Sequence, residues 1–402
     1  MRALSVTRVL PTPDAPQSGV FVERRLAAMA EQMPLRVLQP VPYFPGLNPL
    51  PSWARSGANT ATALPVTPIP MFYLPRILKW LDSHWMYRAC WRSQDFHVAG
   101  QPAQIIDAHF GYPDGVAATR LASALGLPCV VTIRGVEQDY LASGPDGSPI
   151  ARQLTAMLQT ATGCICVSHS LRDVVVAAGA NPAAVTVIHN AIDSSMFAPG
   201  AAHAASAELG LGPDEVWIVS VGNLLSVKRH DVLLEAFAAV ARTDMRLRLA
   251  IIGGASHEAD TPTLLKQLTT RLGVENRVRF LGRIPPTTIV HWLRAARLFA
   301  LASRREGCCN AILEALACGL PVAATDVGDN RYFVHPGKNG ALAKPNDVVA
   351  MTAALRDGLR PLEWDRDRIS AELPVGQWRD VAGAVDAFFG ECQSRFRPSP
   401  TV

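Results

Sequence analysis

A chain of 402 residues, 49% of them hydrophobic and 18% charged, exceeds one ordinary core and suits two or three domains of about 150 residues rather than a disordered polymer. Its formal net charge of +4, from 38 basic and 34 acidic residues, is too mild to indicate a nucleic-acid partner without a clustered basic patch. No apolar run approaches the roughly 20 residues that cross a bilayer, so any membrane contact is expected from outside.

The N-terminal MRALSVTRVLP reads as a short strand without the long apolar segment of a secretion signal, which predicts a cytoplasmic protein. Apolar runs then alternate with helical stretches, the pattern of a parallel α/β sheet. The candidate strands are Leu4–Val9, Ile105–His109, Val130–Ile133, Cys164–Val167 and Val185–Ile188 in the first half. In the second half they are Val216–Val221, Leu247–Ile252, Val278–Leu281, Leu298–Leu301 and Val322–Thr325. Residues 40–70 carry repeated prolines and read as an irregular excursion, because proline restricts both helix and sheet ladders.

A helix is expected in LPRILKWLDSHWMYRACWR, with Trp80, His84, Tyr87 and Trp91 along one face and Arg76, Lys79, Arg88 and Arg92 nearby. That stripe suits either the core of the first domain or the interface of an anionic membrane. Two doubly wound domains follow, 1–197 and 198–375, with the seam in an Ala-, Gly- and Pro-rich stretch. The last part, 376–402, contains a helical period in Trp378, Val381, Val385 and Phe388. The eight cysteines (Cys90, Cys129, Cys164, Cys166, Cys308, Cys309, Cys318, Cys392) lack paired CxxC spacing, which favours reduced, buried thiols over disulfides or zinc.

Two stretches carry candidate chemistry. In VSVGNLLSVKRHDVLLEAF, a strand ends at Gly222 and Lys228 stands before a helix containing Leu233, Leu234 and Phe237. A helix start offers unpaired N–H groups and a positive dipole end to an anion, and Lys228 adds a full charge, although a solvated lysine fits the same pattern. In SRREGCCNAILEALACG, Gly307, Cys308, Cys309 and Asn310 stand at another helix start between Glu306 and Glu314. If all eight intervening steps are helical, the two carboxylates lie about 12 Å apart along the axis. Each can accept two hydroxyl hydrogen bonds, as sugar and ribose hydroxyls require, but two unrelated acidic residues on a helix would look the same. Asp365 and Asp367 in DRD read as surface charge.

The two stretches, together with LAIIGG, RVRFLGRI, ATDVG and GKNGAL, resemble in order the nucleotide-sugar-binding half of retaining glycosyltransferase family 4. The resemblance extends through PQSGVFVERRLAAM, DAHFGYPDGVAA, PCVVTIRGVEQD, VSHSLRD and VIHNAID in the first half, and so covers nearly the whole chain. It implies the GT-B fold, two Rossmann-like domains facing a central cleft, with a terminal helix crossing back to the first domain. It implies that Lys228 binds the donor diphosphate, Glu314 the ribose and Glu306 the donor sugar, with Gly222, Asn223 and Gly307–Asn310 cradling the ligand. Arg283 and Ile284 fall where the family holds the base. Gly19 matches a glycine loop over the diphosphate, and His109 matches a histidine near donor sugar and acceptor. Arg134 is read as an acceptor-side cleft residue or as a salt-bridge partner.

Departures from the family pattern are Asn223 in place of a phosphate-binding arginine, Cys309 where proline is common, Ala191 for glycine, and VGDNRYFV for a Gly-Gly-x-Pro-Glu motif. The resemblance implies a retaining hexosyltransferase that needs no metal or other cofactor, with a nucleotide-sugar donor, UDP ahead of GDP. Its acceptor would be a saccharide or lipid-linked saccharide in cell-surface polysaccharide synthesis, as in the teichuronic-acid type of enzyme. The alternatives are a catalytically silent nucleotide-binding subunit and a sugar-nucleotide epimerase.

Overall fold

Apolar runs such as CVVTI and LFAL, buried along their whole length, form parallel strands covered on both faces. The computed structural model describes residues 1–144, 146–255, 261–360 and 364–397. The chain divides into two units, Met1–Ala191 with Trp378–Val402, and Ile192–Gln377. The seam therefore falls before residue 198, because Ile192 and Phe197 already pack in the second unit's core with Trp217 and Trp292.

In the first unit, seven strands run parallel: β1 (Ala3–Val6), β2 (Leu35–Tyr43), β3 (Val66–Phe72), β4 (Ile105–His109), β5 (Cys129–Ile133), β6 (Gly163–Cys166) and β7 (Val185–Val187). Their order is β3-β2-β1-β4-β5-β6-β7. Helix α1 (Val20–Ala30) follows β1, and α2 (Asp82–Ser93) follows β3.

The proline-rich stretch is thus not wholly irregular, since it supplies the end of β2 and all of β3. Its prolines sit where no ladder hydrogen bond is needed. The Val37 amide donates to Pro65 and the Tyr73 amide to Tyr43, so odd-numbered amides face the β2–β3 pairing. Pro68 and Pro70 then turn their missing N–H toward the open edge of β3, and Pro40 and Pro42 lie beyond the stretch of β2 that pairs with β1. The helix expected from Leu74 is also shorter. Arg76 and Leu78 have left-handed φ values of 66° and 48°, which confines the regular helix to α2 after a 3-10 turn at Lys79–Leu81.

The second unit holds β8 (Val216–Val221), β9 (Leu247–Ile252), β10 (Val278–Gly282), β11 (Leu298–Leu301), β12 (Val322–Thr325) and β13 (Gly340–Ala343). They run parallel in the order β10-β9-β8-β11-β12-β13. On one face α3 (His230–Ala241) buries Leu233 and Phe237 against Leu249 and Ile251. On the other, α4 (Asn310–Ala317) buries Ile312, Leu313 and Leu316 against Phe299 and Leu301. Helix α5 (Trp378–Arg395) belongs to the first unit, where Ala382, Val385 and Phe389 join Val22, Leu26 and Met29 of α1 in one core.

Both sheets reverse their winding once, between β1 and β4 and between β8 and β11. In doubly wound sheets, ligands settle beyond the C-terminal strand ends at such a reversal.

Candidate active site

At the reversal of the second unit, β8 ends at Val221 and the chain passes through Gly222 and Asn223 to a 3-10 turn at Ser226–Lys228, just before α3. Neighbouring β11 ends at Leu301 and leads through an irregular segment to Glu306 and then α4. The Arg304 amide donates to the Val227 carbonyl at 2.8 Å, fastening the second segment to the turn that carries Lys228. Lys228 Nζ consequently lies 2.7 Å from Glu306 Oε1 and donates to it. Burial by itself would lower the Lys228 pKa, but Glu306 more than offsets this and the net shift is upward. The lysine therefore carries a charge, with 19% of its side chain still exposed.

Helix α4 begins at Asn310 with Cys309 at its N-cap and no side chain capping it. Its first-turn amides and dipole end therefore favour an anion beside the Lys228–Glu306 pair. Glu306 precedes the helix, so the distance of about 12 Å along a helical axis does not apply; only the stretch from Asn310 to Glu314 is helical. Cys309 is buried, and burial foremost, followed by Glu306, pushes its thiol up to about 12. That leaves a small neutral side chain at the turn, while Cys308 is half-buried.

The loops after β9 and β10 adjoin the same strand ends. The Leu224 amide donates to Gly254 and the Gly253 amide to Gly282, while the exposed Arg283 lays its side chain across Gly254 ahead of half-buried Ile284. Close backbone packing at this strand end demands glycine at Gly253. A Cβ there would stand 1.9 Å from the Gly222 carbonyl oxygen. The double glycine of IIGG is the signal that marks it. Asp365 caps a short helix by accepting from the Arg368 amide, in keeping with a surface role.

The first unit gathers its own set at the β1–β4 reversal. Gly19 precedes α1 with φ 71°, and a Cβ there would come within 2.7 Å of the Val9 carbonyl, so only glycine fits the loop. Two residues on, Phe21 meets the Phe110 ring edge-on at 6.4 Å and lies under the Arg134 guanidinium at 5.0 Å. Arg134 donates to Asn190 Oδ1 at 3.2 Å, and its Nη2 lies 3.0 Å from His109 Nδ1. His109 is completely buried, with Nε2 3.1 Å from Asp107 Oδ2 in a bent contact. Asp107 also accepts from Ser5 Oγ at 3.0 Å, and buried Arg25 donates to Thr132 at 2.9 Å. Glu137, itself buried, accepts the amides of Gly111, Arg134 and Gly135.

Burial pushes the His109 pKa down to about 4, with Arg134 and Arg25 adding to the shift and Asp107 opposing it. Burial would raise the Asp107 carboxyl, yet His109, Arg25 and Ser5 hold it down at about 2. Arg25, Asp107, Asn190 and Glu137 were not singled out in the sequence. Two signals point to the first two: Asp107 shares a strand face with His109 two residues on, and Arg25 interrupts the apolar stripe Val22, Leu26, Met29 of α1.

Comparison with known proteins gives two family matches, "Glycosyltransferase Family 4" over residues 22–195 and "Glycosyl transferases group 1" over residues 203–363. Among curated relatives, a D-inositol 3-phosphate glycosyltransferase of Nocardia farcinica is 34% identical over 59% of this chain and 53% of its own length. D-inositol 3-phosphate glycosyltransferase 1 of Catenulispora acidiphila is 31% identical over 69% of this chain and 68% of its own length. The chain thus spans between about half and two thirds of these relatives. Among solved structures, a sucrose-phosphate synthase of Thermosynechococcus elongatus superposes with a TM-score of 0.77 at 19% identity, covering 98% of this chain and 100% of that one. Anabaena HepE in complex with UDP and glucose gives 0.69 at 18% identity, covering 98% and 99%. At such identities the likeness concerns the fold.

Proposed function

Because the chain belongs to glycosyltransferase family 4, we propose that it is a retaining hexosyltransferase that takes a nucleotide sugar, UDP-linked ahead of GDP-linked, in its second unit. The observation that carries this reading is the Lys228–Glu306 pair, held at 2.7 Å beside the uncapped start of α4 where the sheet reverses. An ammonium group has three donors, so Lys228 can keep Glu306 and still donate to a diphosphate oxygen. Gly222, Asn223 and Gly307–Asn310 line the diphosphate and sugar, Glu306 accepts from sugar hydroxyls, Glu314 from ribose, and Arg283 with Ile284 flank the base. Binding of UDP and glucose to HepE, a protein of the same fold, supports the choice of donor.

In the transfer, the acceptor oxygen forms a bond to the anomeric carbon while the bond from that carbon to the diphosphate oxygen breaks. The acceptor proton passes to the departing diphosphate. Lys228 and the α4 amides stabilise the charge growing on that leaving group, which is electrostatic preorganisation. The step uses no metal and no other cofactor. Gly19 keeps the diphosphate role that the resemblance implies, and Arg134 of the first unit binds on the acceptor side. The acceptor is a saccharide or lipid-linked saccharide of the cell surface, and the protein works in the cytoplasm or peripherally at the inner membrane face. D-inositol 3-phosphate, named for the curated relatives, is the first soluble acceptor to try.

Calorimetric titration with UDP, GDP and ADP, with and without EDTA, tests the donor site before any acceptor is known. One nucleotide should bind equally well in both conditions, and Lys228→Ala should weaken it roughly tenfold or more, the loss of a charge-assisted contact. Absence of binding by all three would sink the reading, and binding without transfer to any acceptor would favour the silent nucleotide-binding subunit. Binding that needs added metal would remove the metal-free step.

A further inference from the structure

We infer that Arg25, Asp107 and His109 form a buried positioning array that fixes the direction of the Arg134 guanidinium, with His109 acting as a neutral hydrogen-bond acceptor through Nδ1 rather than as a general base. What Arg134 binds rests on the glycosyltransferase reading; the array itself does not.

The argument runs along the contacts. A guanidinium can only donate, so the 3.0 Å contact between Arg134 Nη2 and His109 Nδ1 requires Nδ1 to be bare. The proton of a neutral ring then sits on Nε2, facing the Asp107 carboxylate at 3.1 Å. Asp107 must be ionised to favour that tautomer. Ser5 Oγ donates to it at 3.0 Å, and the charge of Arg25, which lies on α1 with about 2% of its surface exposed, acts on it through the buried interior. A charge as deep as Arg25 is costly without an opposite one, and Asp107 supplies it.

Among the described residues, the charged groups that act on His109 are Asp107, Arg134 and Arg25, and nearby Glu137 stands aside. Asp107 precedes it on β4, Arg25 approaches from α1, Arg134 follows β5, and Glu137 is turned to the backbone amides of Gly111, Arg134 and Gly135. Both cations keep His109 neutral, and Asp107 sets the position of its one proton. Arg134, fixed by His109, by Asn190 and by the face of Phe21, reaches the partly exposed end of the array in a single orientation.

The test uses nitrogen-resolved NMR of the histidine rings in the full chain, with His109→Asn identifying the His109 signals among the ten histidines. Wild type should show a protonated Nε2 and a bare Nδ1, unchanged between pH 8 and pH 5. In Asp107→Asn the amide can donate to Nε2, which moves the ring proton to Nδ1 and removes the acceptor of Arg134. Transfer to the working acceptor should then fall about tenfold or more in kcat/KM, while nucleotide affinity stays the same. His109→Asn, whose amide oxygen stands near the Nδ1 position, should retain several times the activity of His109→Gln, whose oxygen reaches toward Nε2.

A proton on Nδ1 in wild type, titration of the ring above pH 5, or equal and complete loss in both His109 variants would overturn the proposal. If no acceptor supports transfer, the wild-type and Asp107→Asn spectra still decide the array, and only the glycosyltransferase reading has failed.

Discussion

Lys228 and Glu306 occupy one another before any ligand arrives, at 2.7 Å, and this gives their substitutions opposite signs. Removing the lysine deletes the cation that a diphosphate meets and leaves the carboxylate to repel it. Removing the carboxylate charge, as in Glu306→Gln, relieves that repulsion and leaves Lys228 free to turn to phosphate. Glu306→Gln should therefore bind the free nucleoside diphosphate as tightly as wild type or a few-fold more tightly, since opposed charges a few ångströms apart interact by about 1–4 kcal/mol in a partly solvated site. Its donor turnover should fall, because the sugar hydroxyls lose an acceptor. Calorimetry beside a turnover assay separates the two effects, and a tenfold loss of nucleotide affinity would instead mean that Glu306 is needed to hold Lys228 in place. The strand end, the loop and the α4 start were legible in the sequence because they are local signals, whereas the roles of Lys228 and Glu306 were implied only by the family resemblance. Arg25 and Asp107 were not legible, because their meaning lies in a charge interaction between residues about eighty positions apart.

Helix α2 shows what periodicity resolves within an element and what it misses. The sequence pattern placed Trp80, His84, Tyr87 and Trp91 on one face and left open whether that face points inward. In the structure Met86, Ala89 and Cys90 are the buried apolar residues, Trp91 is exposed, and Trp80 precedes the helix in a 3-10 turn. Two left-handed residues before that turn leave Ile77 at 59% and Trp80 at 42% exposure, close in sequence to Arg76 and Lys79. Apolar side chains flanked by cations fit the interface of an anionic bilayer, the peripheral contact proposed above. Vesicles containing phosphatidylserine should carry the protein to the top of a flotation gradient, and Ile77→Ser with Trp80→Ser should return most of it to the soluble fraction. Equal flotation on neutral vesicles, or none on anionic ones, would exclude this surface as the contact. The same lesson holds for β2 and β3. Proline content argued against strands, yet each proline falls where a parallel edge needs no N–H, and only the sheet order reveals that.

At the scale of the whole molecule, among the described residues, each unit encloses one buried histidine that stays neutral, and this sets the sign of its acid response. His109 in the first unit and His230 in the second are both buried and both pushed down to about 4, by burial before any other cause. In the unfolded chain each titrates near its ordinary value of about 6.5, so between these limits the unfolded state binds more protons. The stability this provides is fully present above about pH 6.5 and is lost as pH falls toward 4, at up to about 1.4 kcal/mol per pH unit for each histidine. Asp114 works in the opposite direction, because burial raises its carboxyl and its protonation then favours the folded state as pH falls. Asp107, held at about 2, adds its own loss only at lower pH, after unfolded carboxylates begin to protonate. Urea denaturation at pH 7, 6, 5 and 4.5 should therefore show a falling midpoint. In His109→Asn the decline should be shallower for the transition of the first unit and unchanged for that of the second. An unaltered pH slope in that variant would mean that His109 titrates alike in both states, and the buried neutral ring would have to be abandoned.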